Sequence, residues 1–246
     1  SGLKLARKKK ELIKLTNMKI KHSLSIMLCF AISSSFGQGK LSKNKDAIIA
    51  SVEKHKANLI KISDDIWALA ETAFEENQSS KILSDYAEQQ GFNVERGVAG
   101  MPTAFVATYG SGKPVISVLG EFDALPGLSQ KAEPNKNPLN EGDAGHGCGH
   151  NMFGAGSLGA AVAIKELIES GKIKGTIKFF GTPSEEKYFG KIWMVRAGLW
   201  DDVDVNISWH PSASTEADVQ STLALVDFKI EFFGQAAHAS LDPWNG

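Results

Sequence analysis

Cysteine is nearly absent from the sequence: two residues in 246, Cys29 and Cys148. So few exclude a disulfide framework and the paired cysteines of zinc-finger modules. An excess of one charge is also missing. Lys and Arg total 27 against 28 Asp and Glu, for a formal net charge of -1. Bulk electrostatics therefore point to neither a nucleic acid nor a strongly charged partner, and no stretch of stacking aromatics suggests single-stranded binding. No apolar run reaches the ~20 residues of a stable membrane span. Internal repeats and low-complexity tracts are lacking as well. What is present, 42% hydrophobic and 22% charged residues, is the ordinary balance of a globular domain.

The chain begins with Ser1. From Met18 onward it reads as a secretory signal: Lys19, Lys21 and His22 form a basic start, 24–36 is apolar, and Ser35 and Gly37 are small. The expectation is a signal peptide over 18–37, cleaved before Gln38, and a secreted or periplasmic protein. A hydrophobic helix of the fold is the alternative. Residues 1–17, with Lys8, Lys9 and Lys10, then read as an upstream extension. The sequence stops at Gly246 in loop-like composition, so a fragment of a longer protein is expected. Cleavage would leave Cys148 as the lone cysteine.

Apolar residues at helical spacing (Ile48, Ile49, Val52, Leu59, Ile62, Ile66, Leu69) predict a helix over 46–71. A second helix is predicted over 80–90 with Gly91 as its stop. Apolar, β-prone runs bounded by Gly and Pro predict strands at 103–109 and 115–119. Residues 120–149 read as loop, 152–170 as helix, 176–180 as strand and 187–197 as helix. Strands are predicted again at 203–209 and 223–233. Strands alternating with helices argue for an α/β domain with a mostly parallel central sheet and flanking helices. Polar residues cluster where strands end: Glu121 and Asp123, Glu185 and Glu186, then His210. Open α/β sheets bind ligands beyond the carboxyl ends of their strands.

The strongest local signal is Gly145-His146-Gly147-Cys148-Gly149-His150-Asn151. A thiolate with imidazoles suits zinc and similar borderline metals, and glycines let the backbone approach an ion. A glycine-rich turn with incidental polar residues, or a Cys–His nucleophile pair, would look the same. In Thr182-Pro183-Ser184-Glu185-Glu186, one carboxylate can bind metal while its neighbour serves as general base; an acidic helix start is the alternative. His210 after 205–209 is either a ligand or a structural histidine. Asp123 either orients a ligand or caps a turn. His238 reads as a surface histidine. Gly154-Ala155-Gly156-Ser157-Leu158-Gly159 matches a dinucleotide fingerprint, but a loop precedes it instead of the required strand, so close helix packing explains the glycines better.

In order, GEFDALPGLSQ, GHGCGHN, TPSEE, DDVDVNISWHP and GQAAHAS resemble the aminoacylase and glutamate-carboxypeptidase family of metallopeptidases, and within it the indoleacetyl-amino-acid hydrolase branch. The resemblance covers roughly 47–246. It implies a zinc-peptidase-like α/β catalytic domain over 38–219, followed over 220–246 by the start of an inserted α+β dimerisation domain. It also implies two divalent metal ions, zinc or manganese, with Cys148, His150, Glu186 and His210 as ligands. Glu185 would be the general base, and Asp123 would orient the site. His238 would reach a partner subunit's active site and stabilise the oxyanion. The implied reaction is hydrolysis of an amide between an acyl or aroyl group and an amino acid, on a small acyl-amino-acid or peptide-like substrate, by a homodimer. Two departures stand out. The family's broader pattern has a His two residues before Asp123, where this chain has Glu121, whose role the resemblance leaves open. The family's last metal-binding His, near its C-terminus, has no counterpart here.

Two rival readings come from other classes. A non-catalytic binding or assembly domain would keep the fold without needing Glu185, Glu186 and Cys148 together. A cysteine hydrolase using Cys148 and His150 would leave Glu185, Glu186 and His210 idle. If the metal reading holds, Cys148, His150, Glu186 and His210 must converge in space.

Overall fold

The computed structural model describes residues 43–217 and, beyond them, 224, 226, 228–231, 233–238 and 240–245. The expected signal segment 18–37 lies outside the described residues. Two compact units divide at Pro211 and Ser212, where the sequence suggests a boundary near 220.

The first unit runs α1 (Lys43–Leu69), α2 (Asn77–Gln89), β1 (Asn93–Arg96), β2 (Phe105–Ser111), β3 (Val115–Gly120), α3 (His150–Glu169), β4 (Gly175–Gly181), α4 (Glu185–Tyr188), α5 (Gly190–Arg196) and β5 (Val205–Ile207). One five-stranded sheet has the order β1-β2-β4-β3-β5. Strand β3 pairs in parallel with β4 and β5, while β2 pairs antiparallel with β4 and β1. Four strands thus share one direction and β2 opposes them, which makes the sheet mostly parallel and the class α/β.

Both faces of the sheet are covered. Along β2, Phe105 and Ala107 join one core and Val106 the other; along β4, Ile177 and Phe179 oppose Phe180. This is the two-residue period of a strand. The first core packs against Ile62 and Ile66 of α1, Leu83 and Tyr86 of α2, and Leu158 and Val162 of α3. The second holds Met194 of α5 with Met101 and Phe153. Burial on both sides explains why β3 and β4 read as nearly continuous apolar runs.

Close approach, not nucleotide binding, accounts for the glycines of α3. A Cβ at Gly154 would lie 2.8 Å from the Glu121 carbonyl oxygen, and one at Gly159 would lie 2.7 Å from Leu59. The helix therefore packs tightly on the end of β3, where Glu121 and Asp123 emerge.

Three local features differ from the sequence reading. The helix predicted over 187–197 is broken: α4 and α5 meet at Phe189, a left-handed residue with φ 55° and ψ 55°. At this break the chain doubles back so closely that a Cβ on Gly190 would lie 2.1 Å from the Pro183 carbonyl oxygen. Hydropathy spacing does not register such a contact. Strand β1 was not predicted, because its residues Asn-Val-Glu-Arg carry little apolar alternation. The strand expected at 223–233 is not formed by the described residues of that stretch. The second unit carries a short 3-10 turn at Pro243–Asn245. No helix among the described residues is long and apolar enough to cross a membrane.

Candidate metal centre

Strands β3, β4 and β5 end on one side of the sheet, and the segments that follow them supply Glu121 and Asp123, Glu185 and Glu186 at the start of α4, and His210. The N-terminus of α3 contributes Cys148 and His150. Gly149, at φ 79°, is the residue that turns the loop into this helix, a conformation that glycine adopts without steric cost.

His150 is fully buried. Its Nδ1 lies 3.1 Å from the Asp123 carbonyl oxygen and 3.0 Å from Asp123 Oδ1. A carbonyl can only accept, so Nδ1 carries a proton and donates it. That leaves Nε2 as the position where the ring holds its second proton or, once that proton is lost, offers a lone pair to a cation. His210 is anchored in the same manner, with Nδ1 2.9 Å from the Pro211 carbonyl oxygen and Nε2 turned to Cys148 Sγ at 3.3 Å. Two imidazoles fixed through Nδ1 thus flank one sulfur, with Nε2 of His210 turned to it. Donor atoms of Cys148, His150 and His210 all lie within 4.8 Å of one another.

Carboxylates close the other side of His150. Glu121 Oε2 lies 2.9 Å from His150 Nε2, and Glu186 Oε1 lies 3.9 Å from it. Donor atoms of Glu121, His150 and Glu185 form a second group within 4.8 Å. Asp123 links the motifs: Oδ1 accepts from His150, and Oδ2 accepts the Glu186 backbone N–H at 2.9 Å. Lys191, at the start of α5, donates to Glu121 Oε1.

The charges strain against burial. Burial alone would lower the His150 pKa, but the hydrogen bond to Asp123 and the nearby negative charge of Glu121 outweigh it and push the imidazolium up to about 11. Burial works to raise Glu121, yet His150 and Lys191 hold it below the usual carboxylate range. Burial pushes Glu186 up and also pushes the Cys148 thiol up. Glu121 Oε2, His150 Nε2 and Glu186 Oε1 are buried, and none completes an aligned hydrogen bond. Buried polar atoms without partners are costly. Three of them facing one space, beside a thiol and a second Nε2, suit a bound divalent cation. The donor set therefore fits the metals implied by the motifs.

Of the residues singled out from sequence, Cys148, His150, Glu186, His210, Glu185 and Asp123 come together in the first unit. His238 lies in the second unit, exposed, with Nδ1 accepting from the Ser240 and Leu241 backbone amides at 3.3 Å. His146, from the same glycine-rich motif as His150, takes a different task. Its Nε2 bonds the Ile66 carbonyl at 3.0 Å, and burial holds its pKa down at about 4, so it pins the loop to α1 as a neutral ring. Sequence reasoning missed Lys191, which sits in an unremarkable Gly-Lys-Ile. Only Glu121 carried a signal, as a departure from pattern.

Comparison with known proteins adds an independent line. The profile of Peptidase family M20/M25/M40 matches residues 118–244. The chain is 43% identical over 199 residues to one of the subunits of p-aminobenzoyl-glutamate hydrolase of Escherichia coli (strain K12), covering 80% of this chain and 41% of that one. It is 29% identical over 226 residues to the Xaa-Arg dipeptidase of Mus musculus, covering 87% and 48%. A solved Bacillus subtilis structure, described as a dinuclear metal binding peptidase from the M20 family, superposes with a TM-score of 0.54 at 25% identity, covering 63% of this chain and 42% of that one. The chain thus spans less than half the length of these relatives.

Proposed function

We propose that this chain, which belongs to peptidase family M20/M25/M40, serves the hydrolysis of an amide between an acyl or aroyl group and an amino acid. The observation that carries this is the pair of Nδ1-anchored imidazoles, His150 and His210, facing one thiol beside the Glu185–Glu186 carboxylates. The similarity to the Escherichia coli p-aminobenzoyl-glutamate hydrolase subunit supports the substrate class.

Cys148, His150, Glu186 and His210 would hold two divalent ions, zinc or manganese, with Glu121 Oε2 beside them. When bound, such a pair supplies Lewis acidity, which polarises a carbonyl and acidifies water. Asp123 fixes the His150 tautomer and, through the Glu186 amide, the turn that carries both glutamates. A Glu185 carboxylate oxygen takes the proton of the attacking water. It then returns that proton to the departing amine nitrogen, as general base and general acid in turn. His238, acting on the oxyanion across a homodimer, belongs to this proposal through the resemblance alone. So does a secreted or periplasmic location.

The Cys148–His210 distance of 3.3 Å favours a second reading, a cysteine hydrolase, with His210 beside the thiol instead of the His150 that the sequence suggested as its partner. Burial raises the thiol pKa, whereas a nucleophilic cysteine needs it lowered. That reading also gives Glu185 and Glu186 no task. The test is metal analysis of the complete protein, with turnover of p-aminobenzoyl-glutamate before and after chelation. Chelation is expected to abolish turnover and returned manganese or zinc to restore it. Turnover that resists chelators but falls to thiol reagents would support the cysteine hydrolase.

A further inference from the structure

Between α1 and α2 the chain makes a short connection, 70–76, that no motif marks. Ala70 and Phe74 are left-handed there, at φ 44° and 62°, a conformation uncommon for residues other than glycine. The connection grips two of the loops that carry the metal centre. The Glu71 carbonyl accepts the Ala124 backbone N–H at 2.8 Å, next to Asp123. Glu76 Oε1 accepts the Ser184 backbone N–H at 2.8 Å, next to Glu185. The Phe74 ring stacks on Tyr188 at the end of α4, with centroids 5.3 Å apart.

Glu76 is completely buried, and its Oε2 has no hydrogen-bond partner. A carboxyl is an expensive group to place in such a position. Burial, with Asp123 adding to it, raises its pKa to about 7. Ser184 is itself strained: it is left-handed at φ 57° and ψ 43°, and its side chain makes no cap to the helix that follows. Its hydroxyl is buried without a partner. The hydrogen bond to Glu76 is therefore what its N–H gains from this geometry. Residues Glu185 and Glu186 leave the sheet directly from this turn.

We propose that Glu76 is the positioning residue of the Glu185–Glu186 pair, its buried carboxyl oxygen holding the Ser184 amide so that the left-handed turn aims both carboxylates at His150. The part concerning Glu185 rests on the hydrolase reading; the part concerning Glu186 rests on metal binding alone. Glu76 touches neither substrate nor ion. It is an acceptor that a glutamine can replace and a hydrocarbon cannot.

The test uses the complete protein, with Glu76→Gln and the similarly sized Glu76→Met. Manganese affinity is measured by titration, and kcat and KM with p-aminobenzoyl-glutamate. Glu76→Gln keeps the bond to Ser184 and is expected within about threefold of the parent in both. Glu76→Met leaves the Ser184 amide unpaired and is expected to bind manganese about tenfold more weakly. Its kcat should fall by about 10²-fold with KM nearly unchanged, the signature of a displaced reacting group. Parental affinity and kcat in a folded Glu76→Met would overturn the proposal, as would a Glu76→Gln as impaired as Glu76→Met. If Glu76→Met does not fold, Glu76→Asp decides, because its carboxylate is one methylene short of Ser184; parental values there would refute the role. A parent that binds manganese but hydrolyses nothing would sink the hydrolase reading, and the affinity measurements would still decide on Glu76.

Discussion

Glu185 and Glu186 are neighbours that one substitution each can tell apart. On the proposed reading, Glu185→Gln in the complete protein takes away the proton acceptor and keeps its shape, so metal should stay bound while turnover drops by ~10²–10⁴-fold. Glu186→Gln removes an anionic oxygen that lies 3.9 Å from His150 Nε2, and metal content should fall along with turnover. Elemental analysis beside kcat reads both. A metal-loaded Glu185→Gln of near-normal kcat would show that the proton goes elsewhere. Glu121 can be read the same way. Its Oε2 is buried, 2.9 Å from His150 Nε2, while its other oxygen accepts from Lys191. Glu121→Gln is expected to weaken metal binding by about tenfold or more, the scale seen when groups supporting a metal site are altered. An unchanged titration curve would leave Glu121 as no more than the counter-charge of Lys191.

The elements that carry the site are held by contacts remote from it. Helices α1 and α3 are tied by Glu166, whose Oε1 meets Lys54 Nζ at 2.8 Å and His55 Nε2 at 3.0 Å. Burial tends to raise the Glu166 pKa, but these hydrogen bonds prevail and lower it from 4.5 to about 2. The folded value lies below the unfolded one, so the stabilisation is full above pH ~4.5 and fades as pH falls through the folded value near 2. Glu166→Gln should therefore cost on the order of 1 kcal/mol at neutral pH. That deficit should shrink on acidification, as urea unfolding at several pH values would register. A deficit that does not change between pH 7 and 3 would place the effect in packing. Gly154 tests the seat of α3 on β3. A side chain there meets the Glu121 carbonyl oxygen at 2.8 Å, which is backbone and cannot swing aside. Gly154→Val is expected to destabilise by ~1–3 kcal/mol through overpacking and to disturb metal binding through Glu121. Parental stability would mean that the helix can shift freely.

Across the whole molecule, the last strand in the sheet order and the residues after it leave apolar surface open. Val205, Ile207 and Trp209 are 48%, 56% and 46% exposed. The chain is expected to self-associate through this edge, since exposed apolar patches drive association. Light scattering would check this, and a monodisperse monomer would overturn it.

Periodicity and motif order made much of this protein legible in advance. The apolar spacing of Ile62, Ile66 and Leu69 is local, so the sequence alone determined α1, and the same holds for α2, α3, β3 and β4. The glycine-rich Cys148–His150 stretch and the Glu185–Glu186 pair could be read as chemistry because their residue types sit at adjacent positions. Tertiary structure alone decided the rest. It placed β4 between β2 and β3, broke the predicted helix at Phe189, and added β1 as an edge with little apolar signature. It separated His146 from His150, two histidines four residues apart, by giving one a helix carbonyl and the other the carboxylates of Asp123 and Glu121. It brought Glu76, more than a hundred residues before Ser184, against that residue's amide. Local propensity acts over a few residues and is written in the sequence as a pattern. A buried hydrogen bond between distant segments leaves no pattern, because its geometry exists only once the sheet has brought the two ends together.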